Sequence, residues 1–289
     1  MYSAISANKR NTVIIMAVFL LVIGGLGWLA GAAYNNLGIT WMVVTIASIY
    51  ALIQYFIASR IALAINGARQ IEKRDAPELY RIVENLAITE GMPMPKVYIM
   101  DDPSPNAFAT GRNPNNASVA VTTGLLEVMS KRELTAVLAH EMGHVKNYDI
   151  LVNMIVFGLI SAIGMICDMI LRIAFWGDSR DRDSKLMVIG LIAAILAPVV
   201  ALVIQLAVSR QREYLADASG ALTTRDPEGL AMALEKLKGD VQPMQSQNSS
   251  TAHLFFANPL KPGFFSKLFS THPPLEDRIA RLRQNATKM

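Results

Sequence analysis

The sequence has little of what stabilises small secreted domains or binds nucleic acid. It contains one cysteine, Cys167, in 289 residues, which excludes an intrachain disulfide framework and agrees with a reducing compartment. Charged residues make up only 17% of the chain and aromatic residues 7%, and no segment interleaves bases with aromatics as nucleic-acid grooves do. We therefore expect no disulfide-bonded domain and no nucleic-acid partner.

The sequence contains long apolar segments with few or no charged residues. Hydrophobic residues make up 52% of the chain and the mean hydropathy is +0.33, so part of the chain should lie in a membrane. Residues 12–33 and 39–58 are uncharged runs of about 20 residues, enough for a helix to cross a bilayer. Residues 150–176 and 186–208 predict a second hairpin, although Asp168 and Arg172 interrupt its first arm. The pattern predicts a mainly α-helical integral membrane protein with about four transmembrane or membrane-embedded helices.

The positions of the basic residues predict the orientation in the membrane. Lys9 and Arg10 precede the first apolar run, residues 34–38 between the runs carry no charge, and Arg60 and Arg69 follow the second run. By the positive-inside rule the N-terminus and everything after residue 60 lie in the cytoplasm. We therefore expect a multi-pass protein of the cell (inner) membrane. These juxtamembrane bases also explain the net charge of +4.

Residues 130–147 carry the strongest chemical signal. Ser130 and Glu133 form the capping-box pattern that begins a helix. In this helix His140 and His144, four residues apart, project from one face, and Glu141 lies next to the first of them. This is H-E-x-x-H, in which two imidazoles bind zinc and the glutamate is the general base. The alternative is a helix with two core histidines, but the chain has only four histidines, which makes this spacing an improbable accident.

The residues around this helix predict a small α+β unit. Residues 76–91 have the periodicity of an amphipathic helix that ends at a glycine. Residues 96–100, 106–110 and 117–123 are strand-like and are separated by turn residues. The segment 106–110 suits a sheet edge, either as an ordinary hairpin or as a strand that pairs with an extended peptide.

A catalytic zinc ion needs a third protein ligand, which the pentapeptide does not supply. Glu213 and Asp217 are four residues apart and share one helical face directly after the fourth apolar run. Glu213 could complete a His, His, Glu site, and Asp217 could hold the second ring nitrogen of a ligand histidine. The alternative is a solvated charged helix in which Arg210 and Arg212 pair locally.

Four segments follow from these patterns. Residues 1–60 form a transmembrane hairpin, and residues 61–149 a cytoplasmic catalytic half with the sheet and the zinc helix. Residues 150–208 form a second membrane hairpin. Residues 209–289 form the other catalytic half, which carries the third ligand and C-terminal helices.

The segments NAFATG, HEMGH, EYLAD and THPPLEDRI occur in this order along the chain. With these motifs the chain resembles the HtpX family of membrane-bound zinc metalloproteases, relatives of the CAAX prenyl proteases. The resemblance covers nearly the whole chain and implies a cytoplasmic zincin-like catalytic domain with a small β-sheet.

The resemblance also implies roles for individual residues. His140, His144 and Glu213 would be the ligands of one zinc ion per chain, Glu141 the general base and proton shuttle, and Asp217 a supporting carboxylate.

Three further residues match the family's motifs outside the zinc helix. Asn106 corresponds to the asparagine of the strand that borders the substrate cleft. His272 and Arg278 correspond to the histidine and arginine expected to orient ligands or to stabilise the oxyanion.

The resemblance implies a zinc endopeptidase that cleaves misfolded or damaged membrane proteins at the cytoplasmic face, by metal-activated water, in quality control and the stress response. Its partners would be polypeptides and the lipid bilayer; the sequence predicts no oligomeric state. An intramembrane protease is one alternative, but Lys131 and Lys146 flank the zinc helix too closely for it to span. The other is a non-catalytic, zinc-braced membrane scaffold or chaperone-like adaptor.

Overall fold

The computed structural model describes residues 2–33, 35–176, 210–239, 244–245, 251, 254–257 and 273–286. These residues form a mostly helical protein with two N-terminal apolar helices and a small mixed sheet. This confirms the predicted fold class. Apolar run 186–208 and His272 lie outside the described residues.

Two long helices form the N-terminal membrane hairpin. Helix α1 covers Tyr2–Ala33 and α2 covers Leu37–Ile65. Both are long and apolar enough to cross a membrane, and their outer faces expose large apolar side chains such as Leu21 and Trp41. Helix α1 begins at Tyr2, ten residues before the predicted apolar run of residues 12–33, so its first turns lie outside that run.

A sharp corner joins the helix that carries the H-E-x-x-H motif to the next apolar helix. Helix α5, Lys131–Lys146, and helix α6, Asp149–Trp176, meet at an angle of 79°. Tyr148 takes a left-handed backbone conformation with φ +62° at this corner. If the pair is counted as one bent span, the described residues contain up to three candidate spans. Helix α6 packs against α1 and α2 through one shared apolar cluster.

The sheet has four strands in the order β1-β2-β4-β3. They are β1, Arg69–Gln70; β2, Lys96–Met100; β3, Ala107–Gly111; and β4, Ala117–Thr122. Strands β2 and β4 are parallel, while β1 pairs with β2 and β3 with β4 in antiparallel register. The sequence pattern predicted three of these strands; it missed β1, which is two residues long and exposed. Strand β3 lies at the sheet edge, as predicted.

The sheet lies between helix α5 and helix α2. Its face with Ala109 and Val119 packs into the core that contains α5. Its opposite face, with Phe108 and Ala120, packs against α2 and α6. Most of helix α5 is therefore buried one sheet away from α2.

The remaining described helices complete the core around α5. They are α3, Pro77–Glu90; α4, Thr123–Val128; α7, Arg210–Thr224; α8, Pro227–Gly239; and α9, Leu275–Ala286. The start of α5 is the predicted capping box, in which Ser130 and Glu133 bond each other's backbone N–H groups. Helix α3 ends, as predicted, at Gly91 in the left-handed conformation.

Candidate metal centre

Helix α5 carries both histidines of the H-E-x-x-H motif into the core. The side chain of His140 has no exposed surface, and that of His144 is 11% exposed. Because the two residues are four apart, their rings lie one helical turn apart on one face. Their Nε2 atoms are 3.1 Å apart. Glu141, between them in the sequence, is also buried.

Helix α7 brings Glu213 to the same point. Its Oε1 lies 3.6 Å from Nε2 of His144 and its Oε2 lies 3.8 Å from Nε2 of His140. These three residues are the group of potential metal ligands among the described residues, with ligand atoms within 4.8 Å of one another. The structure thus brings together the three residues that the sequence pattern and the family resemblance had combined.

The donor set fits a zinc ion. Two imidazole nitrogens and one carboxylate are the ligands of many catalytic zinc sites. Zn–N distances of about 2.0–2.1 Å with tetrahedral angles place ligand atoms about 3.3–3.5 Å apart. The observed separations of 3.1, 3.6 and 3.8 Å lie close to this range. Small side-chain adjustments are therefore enough for these residues to hold the ion.

Asp217 holds the other ring nitrogen of His140. Its Oδ1 lies 2.9 Å from Nδ1 of His140. Arg278 of α9 donates to both oxygens of this carboxylate, from Nε at 2.9 Å and from Nη2 at 2.7 Å. Burial raises the pKa of Asp217, but Arg278 and His140 outweigh it and lower that pKa to about 2. The carboxylate is therefore ionised and points Nε2 of His140 toward the ligand cluster.

Asp149 holds His144 in the same way, and sequence reasoning did not find it. Its Oδ2 lies 2.8 Å from Nδ1 of His144. Asp149 is the first residue of α6, and the 79° corner turns its side chain back onto α5. In the sequence, Asp149 is visible only as an acidic residue in the first turn after α5. The sequence pattern does not reveal the corner, and without the corner it does not predict a contact between Asp149 and His144.

The pKa values of the two histidines shift in opposite directions. Burial lowers the pKa of His140 to about 4, in spite of its hydrogen bond to Asp217. Burial also lowers the pKa of His144, but its hydrogen bond to Asp149 and the charge of Glu213 outweigh it and raise that pKa to about 9. Without a metal ion at neutral pH, Nε2 of His144 therefore carries a proton and donates it in a hydrogen bond to Nε2 of His140. A metal ion that binds here must displace it.

Arg278 and Phe256 close one side of the cluster. Arg278 is completely buried, and its Nη1 lies 3.9 Å from Oε2 of Glu213. The ring of Phe256 packs edge-on against the ring of His140, with centroids 5.0 Å apart, and the guanidinium of Arg278 lies 5.0 Å above the same phenyl ring. Sequence reasoning had assigned no role to Phe256.

Asn106 precedes edge strand β3 and is bonded to the segment that carries Phe256. Its Nδ2 donates to the carbonyl of Ala257 at 2.8 Å, and its Oδ1 accepts from the N–H of Ala257 at 3.0 Å. The N–H of Phe256 donates to the carbonyl of Ala107 at 2.8 Å. The chain's own residues 256–257 therefore pair with the beginning of the edge for which an ordinary hairpin and pairing with a peptide were both considered.

The comparisons with known proteins agree with this arrangement. Residues 73–286 match the family described as peptidase family M48. The chain is 56% identical over 286 residues to a protein named "Protease HtpX homolog" from Tropheryma whipplei strain Twist, with 98% of each chain covered. It is 43% identical over 295 residues to a protein of the same name from Streptococcus gordonii, with 98% of this chain and 99% of that chain covered.

One solved structure shares the fold. The crystal structure of S. mikatae Ste24p superposes with a TM-score of 0.52 at 22% identity and covers 93% of this chain. This chain spans 62% of the length of that chain.

Proposed function

The chain belongs to peptidase family M48, and we propose that it is a zinc-dependent endopeptidase that cleaves misfolded or damaged membrane proteins at the cytoplasmic face of the cell membrane, in protein quality control and the stress response. Family membership makes the chain a metalloprotease that acts on polypeptides, and its apolar helices make it a membrane protein. The identity of the metal, the class of substrate, the orientation and the biological role belong to the proposal.

The observation that carries the proposal is the convergence of His140, His144 and Glu213 beside a buried Glu141. Two helices that are far apart in the sequence supply a set of nitrogen and oxygen donors typical of zinc hydrolases, and Glu141 has the sequence position of the general base. A metal site that only braces a fold has no need of Glu141 at this position. The arrangement therefore favours catalysis over the scaffold alternative.

The chain's own residues have separate tasks in the proposed reaction. When bound, the zinc ion supplies Lewis acidity, which polarises the scissile carbonyl and makes water a better nucleophile at neutral pH. Glu141 would take the proton of the attacking water and later donate it to the leaving amine. Asp217 and Asp149 would keep the ligand histidines in the tautomer that directs Nε2 to the metal.

Arg278 would act as a supporting residue. Its Nε and Nη2 atoms donate to Asp217, Nη2 also lies 3.5 Å from Nδ1 of His140, and the residue is completely buried. We therefore assign it to the orientation of Asp217 and His140. The proposed oxyanion partner, His272, lies outside the described residues and keeps its role as a proposal.

The four predicted segments fit a division of labour. Residues 1–60 and 150–208 would anchor the protein as a multi-pass membrane enzyme. Residues 61–149 supply His140 and His144, and residues 209–289 supply Glu213. Neither catalytic half holds a complete ligand set, so each would need the other to bind the ion.

The decisive experiment compares metal content and casein cleavage for the wild type, Glu141→Gln and Glu213→Ala, each purified in detergent and supplied with zinc. We expect one zinc ion per wild-type chain, full zinc content without cleavage for Glu141→Gln, and loss of zinc for Glu213→Ala. Removal of a general base should lower the cleavage rate by about 10²–10⁴-fold.

A matched control is Glu127→Gln, the same substitution at an exposed residue of α4; it should keep both zinc and activity. An active Glu141→Gln variant would overturn the assignment of the base, and a Glu213→Ala variant with full zinc would overturn the ligand set. A wild-type protein that binds zinc but cleaves nothing would support the scaffold.

A further inference from the structure

The first membrane helix sends a buried amide into the surroundings of the metal centre. Asn8 lies in the part of α1 that precedes the apolar run, and only 3% of it is exposed. Its Nδ2 donates to Oδ1 of Asp149 at 2.6 Å and to the carbonyl of Asn147 at 2.8 Å. These acceptors lie 141 and 139 residues away along the chain. The two N–H groups of the amide are thus both used.

These contacts lead directly to a proposed zinc ligand. Asp149 accepts from Asn8 with Oδ1 and faces Nδ1 of His144 with Oδ2, at 2.8 Å. The carboxylate of Asp149 therefore links Asn8 of helix α1 to His144. Arg212 approaches the same Oδ1 to 3.9 Å and adds positive charge on that side.

Packing keeps Asn8 where these bonds can form. Ile15 and Phe19 of α1 share an apolar cluster with Leu151 and Val152 of α6. Lys9, the residue after Asn8, places its ammonium group 4.6 Å from the ring centroid of Tyr148. The first turns of α1 therefore contact both sides of the corner between α5 and α6.

We propose that Asn8 is a positioning residue of the metal centre, which holds Asp149 in the orientation that His144 needs to bind the ion. The amide is suited to this task because it donates to the carboxylate without adding charge. It also pins the carbonyl of Asn147, so that both ends of the corner are fixed relative to each other. The first membrane helix is then part of the metal-binding apparatus as well as an anchor.

The inference rests on the proposed zinc site, and zinc affinity tests it independently of cleavage. The full-length protein is purified in detergent, stripped of metal and titrated with zinc in competition with a chromophoric chelator. Residues that hydrogen-bond to ligands typically contribute 10–100-fold to metal affinity. We expect Asp149→Ala to lose affinity in that range and Asn8→Leu, one contact further away, to lose about fivefold.

The matched control is Thr12→Val, one turn further along α1. Thr12 is buried, and its hydroxyl donates within its own helix, to the carbonyl of Asn8 at 3.0 Å. This substitution disturbs the same helix without removing the amide. We expect this variant to keep an unchanged zinc dissociation constant.

The double variant Asn8→Leu/Asp149→Ala separates positioning from general destabilisation. If Asn8 acts through Asp149, its substitution should change zinc affinity no further once Asp149 is gone. If Asn8→Leu does not accumulate in the membrane, Asn8→Ser takes its place in the same cycle.

Three results would overturn the inference: wild-type affinity in Asn8→Leu, an equal loss in Thr12→Val, or additive losses in the double variant. A wild-type protein that does not bind zinc would instead refute the proposed function.

Discussion

At the scale of single residues, each candidate ligand histidine is held by a carboxylate at its Nδ1 atom. Asp217 holds His140 and Asp149 holds His144, at 2.9 and 2.8 Å. The carboxylates differ in their own support, because Asp217 is bonded twice by the buried Arg278 and Asp149 is bonded by an uncharged amide. His140 therefore depends on a buried ion pair.

Removal of one partner of this pair should be costly. Arg278→Met leaves Asp217 buried without its counter-charge, and breaking a buried ion pair from one side costs about 3–5 kcal/mol of unfolding free energy. The thermal unfolding midpoint of the metal-free protein in detergent measures the loss.

The double variant Asp217→Asn/Arg278→Met tests the cause. It removes both charges, so it should regain a large part of the stability lost in Arg278→Met. A double variant that is less stable than Arg278→Met would show that packing of the arginine, and not the unpaired carboxylate, explains the loss.

At the scale of secondary-structure elements, the site depends on how closely α7 approaches α5. A Cβ atom at Gly220 of α7 would lie 2.9 Å from the backbone N of His140 and 3.2 Å from the carbonyl carbon of Ala139. The two backbones meet here; α5 carries His140 and His144, and α7 carries Glu213. The absent side chain lets Glu213, two turns earlier on α7, reach the histidines.

Gly220→Ala should therefore separate the two halves of the ligand set. The clash involves backbone atoms of α5, so relief requires α7 to move outward and to carry Glu213 with it. A displacement of about 1 Å in a catalytic site can cost about 10²-fold in rate. Casein cleavage and zinc titration measure the effect.

Gly143→Ala is the control at the same helix contact. A Cβ atom at Gly143 would lie 3.5 Å from atoms of Ala216 and Ser219, an ordinary contact distance. This variant should keep its zinc affinity, and its free energy of unfolding should rise by about 0.5–1 kcal/mol, since alanine replaces glycine inside a helix. If both variants lose zinc affinity and cleavage activity to the same extent, the close approach of the two helices does not depend on Gly220 in particular.

At the scale of the whole molecule, the candidate metal centre lies where the unit with the sheet joins the membrane helices. The sheet packs α5 on one face and α2 and α6 on the other. Helix α1 contacts the corner next to His144 through Asn8. The N-terminal hairpin therefore belongs to the same packed structure as the catalytic elements.

The proposed orientation predicts a labelling pattern. In a Cys167→Ser background, Leu37→Cys lies at the start of α2 next to the short turn, and Arg81→Cys lies on the exposed side of α3. Intact cells treated with a membrane-impermeant maleimide should label residue 37 and not residue 81. Permeabilised cells should label both, and labelling of residue 81 alone in intact cells would reverse the orientation.

The amino-acid sequence by itself determined the elements that repeat with a local period. The two N-terminal spans, the capping box at Ser130, and the spacings of His140 with His144 and of Glu213 with Asp217 are all visible within a few residues, because helical periodicity relates neighbours three or four positions apart. The combination of Glu213 with the histidines followed from what zinc requires and from the family's motifs.

Only the tertiary structure decided which residues surround this set. Strand β1 is too short to carry a pattern, and it exists because it pairs with β2. The contacts of Asp149 with His144 and of Asn8 with Asp149 depend on the corner at Tyr148 and on the packing of α1 against α6. Asn8 and Asp149 are 141 residues apart along the chain, and Asp149 and His144 are close in sequence but lie on different helices. No helical period encodes either contact.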